Sequence, residues 1–303
     1  MDKTRKISRF LDPELLASLS NLEIKARTVV EGMIEGQHKS PFKGFNVEFS
    51  EYRQYVPGDS LKDIDWKVYG RTDKFYIKEH EQETNLFGYL VLDTSGSMAY
   101  RGAGKMSKLD YASTLAASLS YLMLKQEDSV GLLTFADGIE KIIRPRTGIA
   151  HLKTICNELD GIKAYKTTNI SESLDVVGQT MKKRGIFVMF SDLMDNAEAV
   201  INKLRQLKGR RHEIVLYHVL DRDEISFPFD DMTIFKDLED KSEITADAFS
   251  LRNEYLKRVR NMINTFRSAL RKSGIDYLLA DTSMPIEANL RSFFTRRQAV
   301  SER

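Results

Sequence analysis

The chain has 303 residues, 42% of them apolar, enough for a sizeable core in one large domain or in a domain with an extension. Its 46 basic and 44 acidic residues leave a net charge of +2, which argues against a dedicated nucleic-acid binder, since that role needs a basic surplus on one face. No apolar run approaches the ~20 residues that cross a bilayer, and a single cysteine, Cys156, excludes an intramolecular disulfide.

The basic start Met-Asp-Lys-Thr-Arg-Lys has no apolar stretch or small-residue cleavage site, so no signal peptide is expected and the inferred compartment is the cytoplasm. Residues 1–85 read as an N-terminal helix/strand extension. Asp12 followed by Pro13 is a good helix start, with the helix expected to reach Leu22. Phe45, Val47 and Phe49 alternate with polar residues, Val56-Pro-Gly-Asp59 signals a turn, and Phe75–Glu79 is strand-like. The aromatics Tyr52, Tyr55, Trp66, Tyr69, Phe75 and Tyr76 argue against a floppy linker. They are expected to pack intramolecularly, because aromatic rings seek burial.

From residue 86 to 303 the pattern changes to alternating strands and helices. Strands are expected at Phe87–Leu92, Ser129–Phe135, Gly185–Ser191, Glu213–Leu220 and Ile275–Ala280, with a short edge segment at Glu140–Ile143. Ser107-Lys-Leu-Asp110 resembles a capping box opening a helix that runs to about Lys125. Further helices fit Ala150–Leu159, Ser171–Lys182, Ala197–Leu207 and Ala248–Lys272, and Cys156 reads as a small core residue of the first of these. In the last helix Leu251, Tyr255, Val259, Met262, Ile263, Phe266 and Leu270 share one face, which reads as a core face beneath a solvated basic one. The alternation predicts an α/β, Rossmann-like doubly wound architecture with a mainly parallel sheet.

The chemistry concentrates where the first of these strands ends. Phe87–Leu92 stops at Asp93-Thr-Ser-Gly-Ser97, so Asp93, Ser95 and Ser97 fall at alternate positions and their oxygens can converge as the strand opens into a loop. One carboxylate and two hydroxyls make a hard, oxygen-only site of low charge, which suits Mg²⁺ better than zinc or copper. Four expected strands end in aspartate, Asp93, Asp192, Asp221 and Asp281, on the sheet edge where ligands bind. Acids gathered there repel unless a cation or basic groups offset them, although an aspartate at a strand end can also cap the next helix. A further donor is expected from Tyr165-Lys-Thr-Thr-Asn169. Thr168 is the better candidate, because Asn169 and Ser171 are placed to cap the helix that follows.

Assembled, these residues resemble the von Willebrand factor type A (vWA) fold with its metal-ion-dependent adhesion site. The pattern of that site is Asp-x-Ser-x-Ser, a later threonine and a strand-terminal aspartate, which Asp93, Ser95, Ser97, Thr168 and Asp192 match. The segment before it resembles the bacterial family called domain of unknown function 58, through Glu48, Phe49, Glu51, Arg53, Tyr55, Gly58 and Asp59, then Ile64-Asp65-Trp66-Lys67 and Arg71. The resemblance implies that Ser95, Ser97 and Thr168 contact Mg²⁺ (with Mn²⁺ or Ca²⁺ as substitutes), while Asp93 and Asp192 hold metal-bound waters. It implies a protein partner offering an acidic side chain, and kinship with partners of MoxR-type AAA+ ATPases in chaperone-like assembly or maturation of protein complexes.

Two other classes stay open: an Mg²⁺-dependent hydrolase or phosphatase using Asp93, and a metal-free interaction scaffold. The residues favour a non-catalytic module. There is no Gly-x-Ser-x-Gly elbow, and the histidines His38, His80, His151, His212 and His218 form no His-Glu-x-x-His pair. Gly102-Ala-Gly-Lys-Met-Ser107 lacks the Ser or Thr that a phosphate loop needs after its lysine, and reads as a loop ahead of the helix.

Overall fold

The structure is a computed structural model that describes residues 21–35, 52–55, 66–72, 74–78, 86–165 and 167–301. Most of the helix expected from Asp12, the alternating Phe45–Phe49 segment, the turn at Val56–Asp59 and Glu48, Glu51, Ile64 and Asp65 lie outside the described residues. The chain divides into two compact units, residues 39–85 and the remainder.

In the smaller unit, β1 (Tyr52–Gln54) pairs antiparallel with β2 (Tyr76–Lys78), and α2 (Trp66–Thr72) lies between them in sequence. Tyr69 stacks on Phe75 with ring centroids 4.4 Å apart, so part of the expected aromatic packing forms. Trp66 departs from that expectation. It meets only the edge of Tyr69 among the described rings and remains 61% exposed.

The larger unit is built on a six-stranded sheet in the order β10-β7-β6-β3-β4-β5. These strands are β3 (Phe87–Asp93), β4 (Ser129–Phe135), β5 (Ile139–Arg146), β6 (Ile186–Ser191), β7 (Glu213–Leu220) and β10 (Asp276–Asp281). All pair in parallel except β5, the antiparallel edge. The central strands are buried along nearly their whole length, which is why they read as unbroken apolar runs. This is the Rossmann-like, doubly wound and mainly parallel α/β arrangement the alternation predicts.

Helix α3 (Lys108–Lys125) opens with the expected capping box, Ser107 and Asp110 exchanging bonds, and is buried on nearly all sides. Its outer side is covered by α1 (Asn21–Glu35), whose Leu22, Ala26, Val30 and Met33 recur at helical spacing and are buried. Helix α1 thus packs within the α/β unit, whereas the sequence reading assigns all of residues 1–85 to an extension. The remaining helices are α4 (Ala150–Gly161), α5 (Ile170–Thr180), α6 (Ala197–Gly209), the short α7 (Arg222–Ser226), α8 (Ala248–Lys272) and α9 (Ile286–Ser301).

Between α7 and α8 the chain forms an unexpected hairpin, β8 (Met232–Lys236) with β9 (Glu243–Asp247). Its presence corrects the reading of α8. Ile263, Phe266 and Leu270 are buried against the sheet, but Leu251, near the hairpin, is 45% exposed. Among the described residues, no helix is long and apolar enough to cross a membrane.

Candidate metal centre

The sheet order fixes where a ligand can bind. From β3 the chain moves outward through β4 to β5, then returns to β6 on the other flank of β3. The connections after β3 and β6 therefore leave the sheet in opposite directions and open a crevice at the C-terminal ends of those two strands. Asp93 ends β3 and Asp192 follows β6, so both expected carboxylates stand at this switch point. Both are fully buried.

After Asp93 the backbone is fastened at Thr94, whose amide donates to Phe135 O (2.7 Å) and whose hydroxyl lies 2.7 Å from the same carbonyl. Asp93 Oδ1 accepts the Ser95 amide at 3.0 Å, an Asx turn that swings the chain into the one-turn 3₁₀ helix Gly96–Ala99. That turn brings Ser95 Oγ and Ser97 Oγ to 3.1 Å from one another, with the Ser97 hydroxyl also directed at Asp192. Asp93 Oδ2 accepts from Ser191 Oγ at 2.6 Å, and Ser191 Oγ accepts the Leu193 amide at 3.0 Å, tying the two strand ends together.

Thr168 arrives on a separate loop held by two backbone bonds, Tyr165 N to Thr94 O (3.1 Å) and Asn169 N to Ala136 O (2.9 Å). Asn169 caps α5 through the Glu172 amide, as its position suggests. Of the two adjacent threonines, Thr167 is exposed, whereas Thr168 Oγ1 is buried without a hydrogen-bond partner. Asp93, Ser95, Ser97 and Asp192 thus stand together at the two strand ends, and Thr168 lies on the loop bonded to Thr94.

Five further residues complete the site, and the sequence reading did not assign a role to any of them. Lys108 is wholly buried, its ammonium 2.8 Å from Asp192 Oδ2 and 2.6 Å from Glu224 Oε1. Its position in the capping box hid this function, because a lysine in a helix's first turn usually snorkels to water. Ser191 orients Asp93, and its only sequence signal is its place one residue before Asp192. Glu224 sits in the unexpected α7. His218 is buried between Tyr277 Oη (2.7 Å to Nδ1) and the Asp192 carbonyl (2.9 Å to Nε2). The carbonyl can only accept, so Nε2 carries the proton and Nδ1 accepts from the tyrosine. Glu239, at the tip of the β8–β9 hairpin, accepts the Thr168 amide at 3.3 Å and faces Ser97.

Electrostatics follow from burial and these partners. Burial and the facing Asp192 push Asp93 up to about 7. Burial acts in the same sense on Asp192, but the Lys108 ammonium, with the Ser97 hydroxyl and the Met194 amide, outweighs it and holds that carboxyl below its ordinary range. His218 is pushed down to about 4 by burial, keeping the ring neutral. The other two strand-end aspartates serve local structure. Asp221 caps α7 through the Asp223 amide, and Asp281 accepts the Ser283 amide and pairs with Arg222. Offsetting the edge charge thus falls partly to Lys108, a role the sequence reading left open between a cation and basic groups.

The donor set fits a hard divalent cation. Two adjacent hydroxyls, an orphaned threonine oxygen and two buried carboxylates are all oxygen, and a buried oxygen without a donor is a site where a cation would recover lost interaction energy. Among the described residues no three His, Cys, Asp or Glu side chains gather into a metal-binding group, so hydroxyls would carry much of the coordination. The loop at Gly102 offers no rival phosphate site. Its Ala103 amide is spent on Asp223 Oδ2 at 2.9 Å, and a Cβ on Gly102 would meet that oxygen at 2.2 Å.

Comparison with known proteins identifies the family. A family model described as "Protein of unknown function DUF58" matches residues 51–264. The uncharacterized protein Rv1480 of Mycobacterium tuberculosis is 27% identical over 233 residues, covering 75% of this chain and 72% of that protein. Among solved structures, BatB from Bacteroides thetaiotaomicron is 15% identical at a TM-score of 0.49, covering 72% of this chain and 100% of that one. An aerotolerance-related membrane protein from Bacteroides fragilis is also 15% identical, at a TM-score of 0.47 with 70% and 99% coverage.

Proposed function

The chain belongs to the DUF58 family of proteins of unknown function, and we propose that it is a non-catalytic, Mg²⁺-dependent protein-binding module. The observation that carries this reading is Thr168 Oγ1, buried without a partner on a loop bonded to Thr94, the residue before the paired hydroxyls of Ser95 and Ser97. Ser95, Ser97 and Thr168 would hold the cation, with Asp93 and Asp192 acting through water. A cation held mainly by neutral hydroxyls keeps unneutralised charge and attracts a carboxylate. Ser191 and Lys108 fix the two aspartates in place.

The partner is a protein presenting an acidic side chain, and the family resemblance points to a MoxR-type AAA+ ATPase or its client. Catalysis by Asp93 is disfavoured by its surroundings. Asp93 is fully buried and each oxygen is tied by a hydrogen bond, which places it to hold a water rather than to attack a substrate. Affinity capture from native cells with and without EDTA tests the proposal, with loss of the partner in EDTA and in Asp93→Ala expected. Turnover of a phosphoester in Mg²⁺ that Asp93→Asn abolishes would overturn it in favour of an enzyme.

A metal-free scaffold is the second reading, and Lys108 favours it, since this internal cation already neutralises part of the site. Isothermal titration with Mg²⁺ separates the two, because the scaffold would give no heat.

A further inference from the structure

The β8–β9 hairpin folds back over the crevice, and its tip is shaped to do so. Asp237 Oδ1 accepts the amides of Glu239 (2.7 Å) and Asp240 (3.1 Å), while Lys241 takes a left-handed conformation (φ 66°) that lets Asp237 N reach Ser242 O at 2.8 Å. This rigid turn sits directly on the 3₁₀ helix of the metal loop. A Cβ on Gly96 would lie 2.8 Å from Leu238 O and 3.2 Å from Glu239 Cγ, so only glycine permits the seating.

Glu239 projects from the tip between the two loops that carry the hydroxyl donors. Its Oε2 accepts from Thr168 N, and the carboxylate faces Ser97. Its Oε1 is buried and has no hydrogen-bond partner, as is true of Thr168 Oγ1 on the residue it touches. Two buried oxygens lacking donors on contacting residues is a costly arrangement. The nearby lysines do not relieve it. Lys108 is engaged by Asp192 and Glu224, and Lys241 turns to Leu238 O. What these oxygens have in common is a capacity to bind a hard cation.

We infer that Glu239 is an intramolecular ligand of the proposed metal, the acidic side chain that completes the site from within the same chain. The inference rests on the metal reading above and adds a consequence to it. In the isolated protein the position for a partner's carboxylate is filled, and the partner must displace the hairpin tip to bind. Recognition would then be an exchange of one carboxylate for another, with the hairpin as the moving element.

The test uses the full chain and Mn²⁺ alone as probe, measuring affinity by electron paramagnetic resonance and exchangeable metal-bound water by proton relaxation enhancement. Glu239→Ala is expected to weaken Mn²⁺ about tenfold and to raise the relaxation enhancement, because water enters where the carboxylate leaves. Added acetate should lower that enhancement in Glu239→Ala and leave the unaltered protein unchanged. Gly96→Ala, which pushes the tip away without removing the carboxylate, should show the same rise in exchangeable water.

If Glu239→Ala matches the unaltered protein in both affinity and relaxation while Asp93→Ala loses Mn²⁺, the inference is overturned and the metal site stands. If no variant, and not the unaltered chain, binds Mn²⁺, the metal reading itself fails and takes the inference with it.

Discussion

Replacing Lys108 with methionine probes the electrostatic centre of the site. The side chain is 1% exposed, and its ammonium bridges Asp192 Oδ2 at 2.8 Å and Glu224 Oε1 at 2.6 Å. Methionine nearly preserves the volume but leaves two buried carboxylates without their cation. Removing one partner of a buried pair costs about 3–5 kcal/mol, because the remaining charge keeps its desolvation penalty. For a unit of this size that corresponds to a drop in melting temperature of roughly 6–20 °C.

Glu224, already raised by burial, is the group that can relieve the strain by taking a proton. The loss should therefore be greater at pH 8 than at pH 5, and Lys108→Met/Glu224→Gln should recover part of it. Urea denaturation of the two variants at both pH values measures the effect. A loss below about 1 kcal/mol, the worth of an exposed pair, would refute the claim that this lysine is the internal counter-charge of the site.

Other outcomes follow from individual atoms. Thr168→Val keeps the shape and removes only the orphaned hydroxyl, so without metal its stability should be unchanged or slightly higher, by up to about 1 kcal/mol. The same variant should lose Mg²⁺ affinity in a calorimetric titration. Asp93, raised to about 7 against an ordinary 3.8, binds its proton more tightly folded than unfolded, so its contribution is full at low pH and is lost as pH rises through 7 in the metal-free protein. Because metal requires the ionised form, Mg²⁺ affinity should rise with pH by up to about tenfold per unit below 7, measurable as a thermal shift at pH 5, 6 and 7. His218 has the opposite sign. Its folded value of about 4 lies below the ordinary 6.5, so its contribution is present above 6.5 and lost as pH falls toward 4, and its imidazole proton resonance should titrate near 4.

What the sequence displayed and what it hid have physical causes. Strands β3, β4, β6 and β7 were visible because strands buried on both faces are continuous apolar runs, and their ends fell within a residue of those expected. The Asp93–Ser97 loop was visible because a strand's end reports its own geometry. Hairpin β8–β9 was not, since Met232, Ile234 and Ile244 are each 65% exposed or more and the two strands show no apolar side to mark a core. Glu239 lies in the polar run Asp237-Leu-Glu-Asp-Lys241, which has the composition of any solvated turn, and only the tertiary fold brings it to Thr168. Lys108 was masked for a related reason, as nothing local distinguishes a lysine that points into the sheet edge from one that points to water. The choice between Thr167 and Thr168 likewise needed the burial of one hydroxyl.

The central claim is that one hard divalent cation is held by Ser95, Ser97 and Thr168 with Asp93 and Asp192 behind them. Calorimetric titration of Mg²⁺ into the full chain and into Asp93→Ala, at pH 7.5 after treatment with EDTA, addresses it directly. One site in the unaltered protein and none in the variant, with both still folded by circular dichroism, is the expected result. Equal binding by the two proteins, or no binding by either, would contradict the account.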